Sequence, residues 1–328
     1  MISFIVVGKN EGWKLTSCFN SIIKAIKITA VEGEIIYIDS QSSDDSLDRA
    51  LEFPEVKIFE LTGDCNSAIA RNIGASLASG DILFFVDGDM EIDSEFLKLA
   101  LHDGELVYDC LTGHIDDYMY NLKDQLLVIE SRTYNYNLPQ KNEFLNVTGG
   151  VFLIKKDVWN LLGGMNCKFR RGQDIEFFVR LSKANYELIR LPHLIVRHHT
   201  IDYRFEGRMW KNLSQGYYKF PALLFRNHFF TPIVISRTFR FEYTSLILFA
   251  VLISFLVLPQ FWLITLIIYL LITTIRVFKN TIDTSTQKVK AIYFIERLFY
   301  QVLWDFSFII SFFIYYPQDS QVSYEKVK

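Results

Sequence analysis

Four short apolar runs, each closed by a polar cluster, punctuate the first ninety residues. They lie at 2–7 (ISFIVV), 34–38 (EIIYI), 56–61 (VKIFEL) and 81–86 (DILFFV). Between them, 13–25 and 67–77 place apolar residues at helical spacing. Strands alternating with helices predict parallel strands joined by right-handed crossovers. The near-continuous apolar strands fit a sheet covered on both faces, with ligands bound beyond the strands' carboxyl ends. A second region, 146–199, reads differently. VTGGVFLI predicts a strand opened by a glycine pair, and GGMNCKFRRGQDIEFFVRL a loop running into a helix. ELIRLP and LIVRHH predict two further short strands.

The last third changes character. No residue from 243 to 275 is charged, and Pro259-Gln260 divides the run. One helix of that length would measure about 50 Å, far beyond a bilayer core of ~30 Å. Two spans, about 243–258 and 261–278, joined by a tight turn explain both the length and the break. Arg237 and Arg240 precede the pair and Arg276 and Lys279 follow it, so the positive-inside rule puts both outer ends in the cytoplasm. A third apolar segment, 291–316, carries Glu296, Arg297 and Asp305, and is either a third span or a helix at the interface. Residues 216–242 mix aromatics with Lys219, Arg226, Arg237 and Arg240, as an interfacial segment does. The expected layout is a catalytic domain over 1–215 (halves 1–100 and 101–215), the interfacial segment, a membrane region over 243–316, and a tail over 317–328.

Composition narrows the function. A net charge of −3 argues against a nucleic-acid binder. The four cysteines form no C-x-x-C pair, which disfavours a thiolate zinc site and suits reduced thiols. No cleaved signal peptide is expected, because the chain opens straight into a strand pattern. The chemistry concentrates in FFVDGDMEI, 84–92, where a buried strand ends in Asp87-Gly88-Asp89. Two acids on one short loop repel unless a cation lies between them, and a divalent metal with oxygen ligands and a bound diphosphate is a natural partner. Gly88 lets the backbone turn tightly and leaves room for a ligand. A solvated turn after a strand is the plainer alternative for this loop taken alone. Arg71 precedes the acidic strand and either pairs with a phosphate or holds an acid.

The ordered set VVGKNE (6–11), IIYIDSQSSD (35–44), ARNIG (70–74) and ASGDILFFVDGD (78–89), followed by Gly149-Gly150 and Gln173-Asp174, resembles the family 2 glycosyltransferases over about residues 1–200. The resemblance implies the GT-A fold, a Rossmann-like mixed α/β sheet of the nucleotide-diphospho-sugar transferases, followed here by C-terminal transmembrane helices. It implies transfer of a sugar, with inversion, from a UDP- or GDP-linked donor to a glycan or lipid-linked acceptor at the membrane, assisted by Mn²⁺ or Mg²⁺. Asp39 matches the acid that contacts the nucleotide base, and Val7, Glu11, Arg71, Asp87 and Gly88 fall in donor-binding positions. Asp89 and Asp87 match the metal-binding acids, with His198 or His199 beside them. Adjacent strand residues face opposite ways, so one of the two histidines is expected to reach the site. Gly149, Gly150 and Gln173 fall on the acceptor side. Asp174 matches the catalytic base, with Gln173 where the family commonly has glutamate.

Base chemistry at Asp174 is sound, because a sugar hydroxyl attacks well only as its proton is removed. A helix N-terminal acid favoured by the macrodipole is the structural alternative. Glu176, two positions on, is expected to point elsewhere. Tyr134, Tyr136, Phe177 and Phe178 either stack on acceptor sugars or belong to the core. Arg208-Met209-Trp210 is only a distant echo of the Q-x-x-R-W pattern of processive members, which favours transfer of one sugar per visit. Two other functions compete. A non-catalytic nucleotide-sugar-binding subunit would not need all three acids. A nucleotidyltransferase would want a glycine-rich, basic loop after the first strand, where this chain has GKNEG.

Overall fold

Every residue of the first strand, β1 (Ile2–Gly8), is buried, and its side chains alternate between two cores. Phe4 and Val6 face one, Ile5 and Val7 the other. This is why apolar residues sit at consecutive positions. Helix α1 (Trp13–Thr29) fills the first core with Leu15, Cys18, Phe19 and Ile22, and leads to β2 (Gly33–Asp39). The short α2 (Ser46–Leu51) returns the chain to β3 (Val56–Leu61). Helix α3 (Ser67–Leu77) starts where the Asn66 side chain accepts the Ile69 N–H, fills the second core, and precedes β4 (Ile82–Asp87). Strand β1 pairs in parallel with both β2 and β4, and β2 with β3. The ends of all three inner strands therefore open on one edge of the sheet.

Past the acidic loop come β5 (Met90–Ile92), α4 (Ser94–Ala100) and a small hairpin, β6 (Leu101–His102) with β7 (Glu105–Leu106). A long antiparallel pair follows, β8 (Cys110–Asn121) and β9 (Asp124–Thr133). Then come β10 (Glu143–Leu145), β11 (Phe152–Lys155), α5 (Lys156–Leu161), α6 (Gln173–Lys183) and β12 (Leu188–Ile201). Strand β11 lies antiparallel between β4 and β8, so the sheet is mixed. Its order is β10-β12-β8-β11-β4-β1-β2-β3, with β5 on β12 and β9 on β8. The two short strands expected from ELIRLP and LIVRHH are one. Register shifts between Arg190 and Val196 absorb Pro192, which supplies no N–H to a ladder. Phe177 and Phe178 are buried among Phe152 and Trp159 and are core residues. Tyr134 and Tyr136 lie outside the described residues.

This is a computed structural model, and it describes residues 1–121, 124–133, 141–201, 208–282 and 291–328. It divides into two compact units, Met1–Tyr203 with Gln318–Lys328, and Arg204–Pro317. The boundary falls earlier than the expected 215, and the tail expected to stand apart belongs to the first unit.

The second unit is helical. It contains α7 (Arg208–Ser214), α8 (Lys219–Asn227), α9 (Pro232–Phe241), α10 (Tyr243–Val257), α11 (Trp262–Ile282) and α12 (Ala291–Ile314). Ser254 meets Thr265 at 2.8 Å and Arg276 donates to Thr244 at 2.7 Å, so α10 and α11 run antiparallel. Asp305 of α12 meets Thr244, while Phe249 meets Phe313, so α12 runs parallel to α10. Trp262–Lys279 and Phe294–Ile314 are each long and apolar enough to cross a membrane. Helix α10 is shorter and reaches that standard only together with α9, from which it bends by 86°. The charges inside the third segment have partners. Asp305 is fully buried and accepts from Thr244, Ser245, Tyr269 and Gln301 at 2.7–3.0 Å, and Glu296 accepts from the Trp210 indole. A buried charge so fully hydrogen-bonded is tolerable, and it ties all three long helices together.

The chain closes with β13 (Tyr324–Lys326), antiparallel to β3 at the edge of the first unit's sheet.

Candidate active site

The candidate site lies at the carboxyl ends of β1 and β4. A cavity of about 430 Å³ opens there, lined by Val7, Glu11, Asp87, Asp89, Cys65 and His198 among others. That volume is in the range of a small-molecule site. The acidic loop is pinned by its backbone: Gly88 N–H donates to Val7 C=O and His199 N–H to Asp89 C=O, both at 2.8 Å. Gly88 is glycine for a reason other than ligand space. A Cβ there would meet Glu11 Cγ at 3.1 Å and Leu15 Cδ1 at 3.2 Å, so the start of α1 occupies the room expected for a ligand.

Arg71 holds an acid: its buried guanidinium pairs with Asp87 Oδ1. Burial pushes the Asp87 carboxyl up, against the Arg71 charge that draws it down. Gly150 completes this contact. A side chain there would collide with both the Arg71 guanidinium and the Asp87 carboxylate. The neighbouring Gly149 faces open space. Asn72 explains the rest of the A-R-N segment. It accepts from Met165 N–H and donates to Met165 C=O, both at 2.8 Å, clamping the loop that leads to α6.

Asp89 is held by cations. His198 Nε2 lies 3.2 Å from Asp89 Oδ2, and Lys14 Nζ 4.0 Å from the same oxygen. Burial opposes the Asp89 charge, but His198 and Lys14 outweigh it and hold the carboxyl below its ordinary range. On its other side His198 Nδ1 pairs with Asp117 at 2.7 Å. Burial disfavours the imidazolium, yet the Asp117 and Asp89 carboxylates raise its pKa to about 10. Glu11, 2.5 Å from Lys14, is pushed to about 7 by burial and by the Asp89 charge.

His199 points the other way, as strand geometry requires. Its ring pairs with Glu91 at 2.8 Å and the Tyr120 hydroxyl at 2.7 Å, beside Trp13 and Tyr118. His198 is therefore the histidine at the acidic loop, where it orients Asp89 rather than offering a free nitrogen to a metal, and His199 is corrected to a structural role. Asp39 does not line this cavity. It is fully buried, accepting from the Tyr37 hydroxyl at 2.7 Å and from Ser42 N–H and Oγ–H at 2.7 and 2.6 Å, and so shapes the loop whose Ser40 lines the site.

Asp174 sits in the first turn of α6, half-buried, after Gly172 in the left-handed region at φ 71°. Neither it nor Gln173 lines the donor-side cavity. Gln173 Oε1 is shielded from solvent and accepts no hydrogen bond. Glu176 does point elsewhere: it is buried and grips Arg180 with both oxygens at 2.9–3.0 Å. Arg180 in turn donates to the carbonyls of Leu162 and Gly164.

A divalent cation can be tested against these donors. Among the described residues no three His, Cys, Asp or Glu side chains converge as a metal cage. Two carboxylates on one loop, with an imidazole aimed at Asp89 and oriented from behind by Asp117, nevertheless suit a cation that completes its shell with water and phosphate oxygens. The residues fit a cation that arrives with a diphosphate. Asp117 was missed in the sequence because it belongs to no motif. Its signal was positional, since it lies directly across from His198 in the β8/β12 register.

Residues 3–162 match the model of glycosyl transferase family 2. The chain carries a family 2 glycosyltransferase domain. Two curated relatives are named inactive polypeptide N-acetylgalactosaminyltransferase-like protein 5. The one from Macaca fascicularis is 26% identical over 193 residues, covering 50% of this chain and 44% of the relative. The one from Mus musculus is 27% identical over 210 residues, covering 53% and 48%. The chain thus spans about half the length of the curated relatives it matches. Crystal structures of S. aureus TarS share the fold. The complex of TarS 1–349 with UDP aligns over 75% of this chain and 74% of that chain at TM-score 0.54 and 17% identity. The TarS 1–349 structure aligns over 95% and 90% at TM-score 0.55 and 14% identity.

Proposed function

We propose that this protein is a membrane-anchored, inverting, hexosyltransferase-like enzyme. It transfers a sugar from a nucleotide-diphosphate donor to a glycan or lipid-linked acceptor, with the catalytic unit in the cytoplasm. The observation that carries the reading is the pairing of Asp87 with Arg71 and of Asp89 with His198 around one cavity at the ends of parallel strands. A UDP-linked sugar is the first donor to test, since TarS of the same fold has been crystallised with UDP and UDP-GlcNAc.

Each residue has a task. Arg71 and Gly150 fix Asp87, and Asp117 fixes the ring of His198 so that Nε2 stays on Asp89. Asp89 and Asp87 would hold Mn²⁺ or Mg²⁺, with His198 orienting Asp89 from beside it. A divalent cation supplies charge stabilisation for the departing diphosphate when bound. Asp174 accepts the proton of the acceptor hydroxyl as its oxygen bonds to the anomeric carbon. The helix N-terminus beneath Asp174 favours the ionised form such a base needs. Direct attack opposite the leaving group inverts that carbon.

A second reading is a non-catalytic nucleotide-sugar-binding subunit, favoured by the word inactive in the names of the matched relatives. Release of nucleotide diphosphate from UDP-sugars, measured for the wild type and Asp89→Ala with Mn²⁺ or with chelator, separates the two. The enzyme reading expects metal-dependent release, lost in Asp89→Ala. Full turnover in excess chelator would remove the metal from it.

A further inference from the structure

The segment after the last long helix returns to the catalytic unit and ties two of its loops together. Strand β13 adds to the free edge of β3, with Tyr324 opposite Leu61 and Lys326 opposite Phe59. Ahead of the strand, the backbone stays engaged. Thr62 N–H donates to Ser323 C=O at 3.0 Å and Asp64 N–H to Gln321 C=O at 2.9 Å. Gln321 N–H donates back to Asp64 Oδ2 at 2.9 Å. Gly63 is required by this contact, because a Cβ there would strike Gln321 C=O and lie 2.6 Å from Ser323 Oγ. Thus 62–64, immediately before the cavity-lining Cys65, is covered by 321–323.

The next residues reach the other loop. Ser320 Oγ donates to Cys167 C=O at 3.3 Å, and Asp319 pairs with Lys168 at 2.8 Å. Arg170 lies 3.8 Å from Asp64, closing the circuit. From the opposite side, Asn66 Nδ2 donates to the same Cys167 carbonyl at 3.1 Å. Residues 167–170 lead into Gly172 and Asp174. The exposed ion pairs add little individually. The backbone hydrogen bonds and the strand pairing fix the strap on 58–64, and the Ser320 hydrogen bond and the Asp319–Lys168 pair extend its reach to 167–168.

We infer that Gln318–Lys328 is a positioning strap for sugar transfer, holding the loop that carries Asp174 against the loop that walls the donor cavity. The inference rests on the reading of Asp174 as base. A base displaced by about an ångström can cost a hundredfold in rate while the donor pocket itself stays intact. No residue of 318–328 lines the donor cavity; the strap bears on 62–64 beside it and on 167–168 ahead of Asp174.

Two substitutions release the strap independently in the full chain: Gly63→Val, which fills the contact with Gln321, and Glu325→Pro, which removes an N–H from the ladder to β3. Hydrogen exchange over 324–327 verifies release, and exchange over 165–174 reads the loop. Release is expected to speed exchange at 165–174 and to lower kcat about tenfold or more, with the UDP dissociation constant changed less than twofold. A Thr62→Cys/Ser323→Cys pair, whose hydroxyl oxygens lie 3.0 Å apart in the wild type, should keep full turnover when oxidised. Unchanged exchange at 165–174 after verified release overturns the inference. So does a parallel loss of UDP affinity and turnover, which marks a general structural role. If the wild type proves unable to turn over, the enzyme reading falls, and the exchange measurement still decides whether the strap holds the loop.

Discussion

Glu176→Gln should damage stability and spare chemistry, while Asp174→Asn should do the reverse. Glu176 is 2% exposed and its carboxylate holds Arg180 through both oxygens. Gln keeps the shape and removes the charge, leaving a guanidinium committed to the Leu162 and Gly164 carbonyls without its counter-ion. Breaking a fully buried pair costs about 3–5 kcal/mol. Arg180 keeps 23% of its side chain in solvent, which screens the loss to roughly 2–3 kcal/mol. In a unit of this size 1 kcal/mol moves Tm by about 2–4 °C, so a fall of roughly 5–10 °C is expected. Asp174 is half-buried in a first helical turn, and its isosteric amide should shift Tm by no more than about 2 °C. Its turnover should fall on the order of a hundredfold or more. Thermal unfolding at one heating rate and turnover per folded molecule, measured on both variants, give the comparison. A dead Glu176→Gln beside a near-normal Asp174→Asn would show that the wrong carboxylate carries the base.

Three further outcomes follow from other contacts. Burial works against the Glu34 charge, but hydrogen bonds from Lys57, Ser3 and Ser79 hold its pKa below the ordinary 4.5. Its stabilisation is therefore complete above that value and disappears as pH falls through the folded pKa. Glu34→Gln should cost about 1–2 kcal/mol at pH 7 and progressively less as pH falls below the ordinary 4.5, and a difference in unfolding free energy that stays constant on acidification would contradict it. Gly150→Ala should force Arg71 from Asp87 and weaken UDP-sugar binding at least tenfold by calorimetry; unchanged affinity would detach this contact from the donor site. For the membrane, a cysteine beside Pro259 should react with an impermeant reagent from outside intact cells and one beside Lys279 should not. The reversed pattern would invert the topology.

The donor half of the fold was legible because its signals are local. Residues 56–61 and 67–77 emerged with the expected bounds, since each joins an apolar pattern to a clear stop or an N-cap such as Asn66. The β8–β9 hairpin was not read at all. CLTGHIDDYMYN alternates poorly, and its place depends on pairing with β12 some eighty residues away. Pro192 hid the continuity of β12 for the same reason, because a bulge is a property of two strands together. The strap was invisible because Tyr324–Lys326 is exposed and carries no apolar pattern. At the site, types of residue were legible and directions were not. Which histidine faces Asp89, that Arg71 holds Asp87, and that Asp39 turns inward all depend on neighbours remote in sequence.

The central claim is that the site turns over a nucleotide sugar and does not merely bind one. The most direct measurement is release of nucleotide diphosphate by the purified full chain across a panel of UDP- and GDP-sugars with Mn²⁺, beside Asp174→Asn matched for UDP affinity. The account predicts release from at least one donor by the wild type, falling about a hundredfold in Asp174→Asn. Tight UDP binding by both proteins with release from no donor by either would contradict it and leave a nucleotide-sugar-binding subunit.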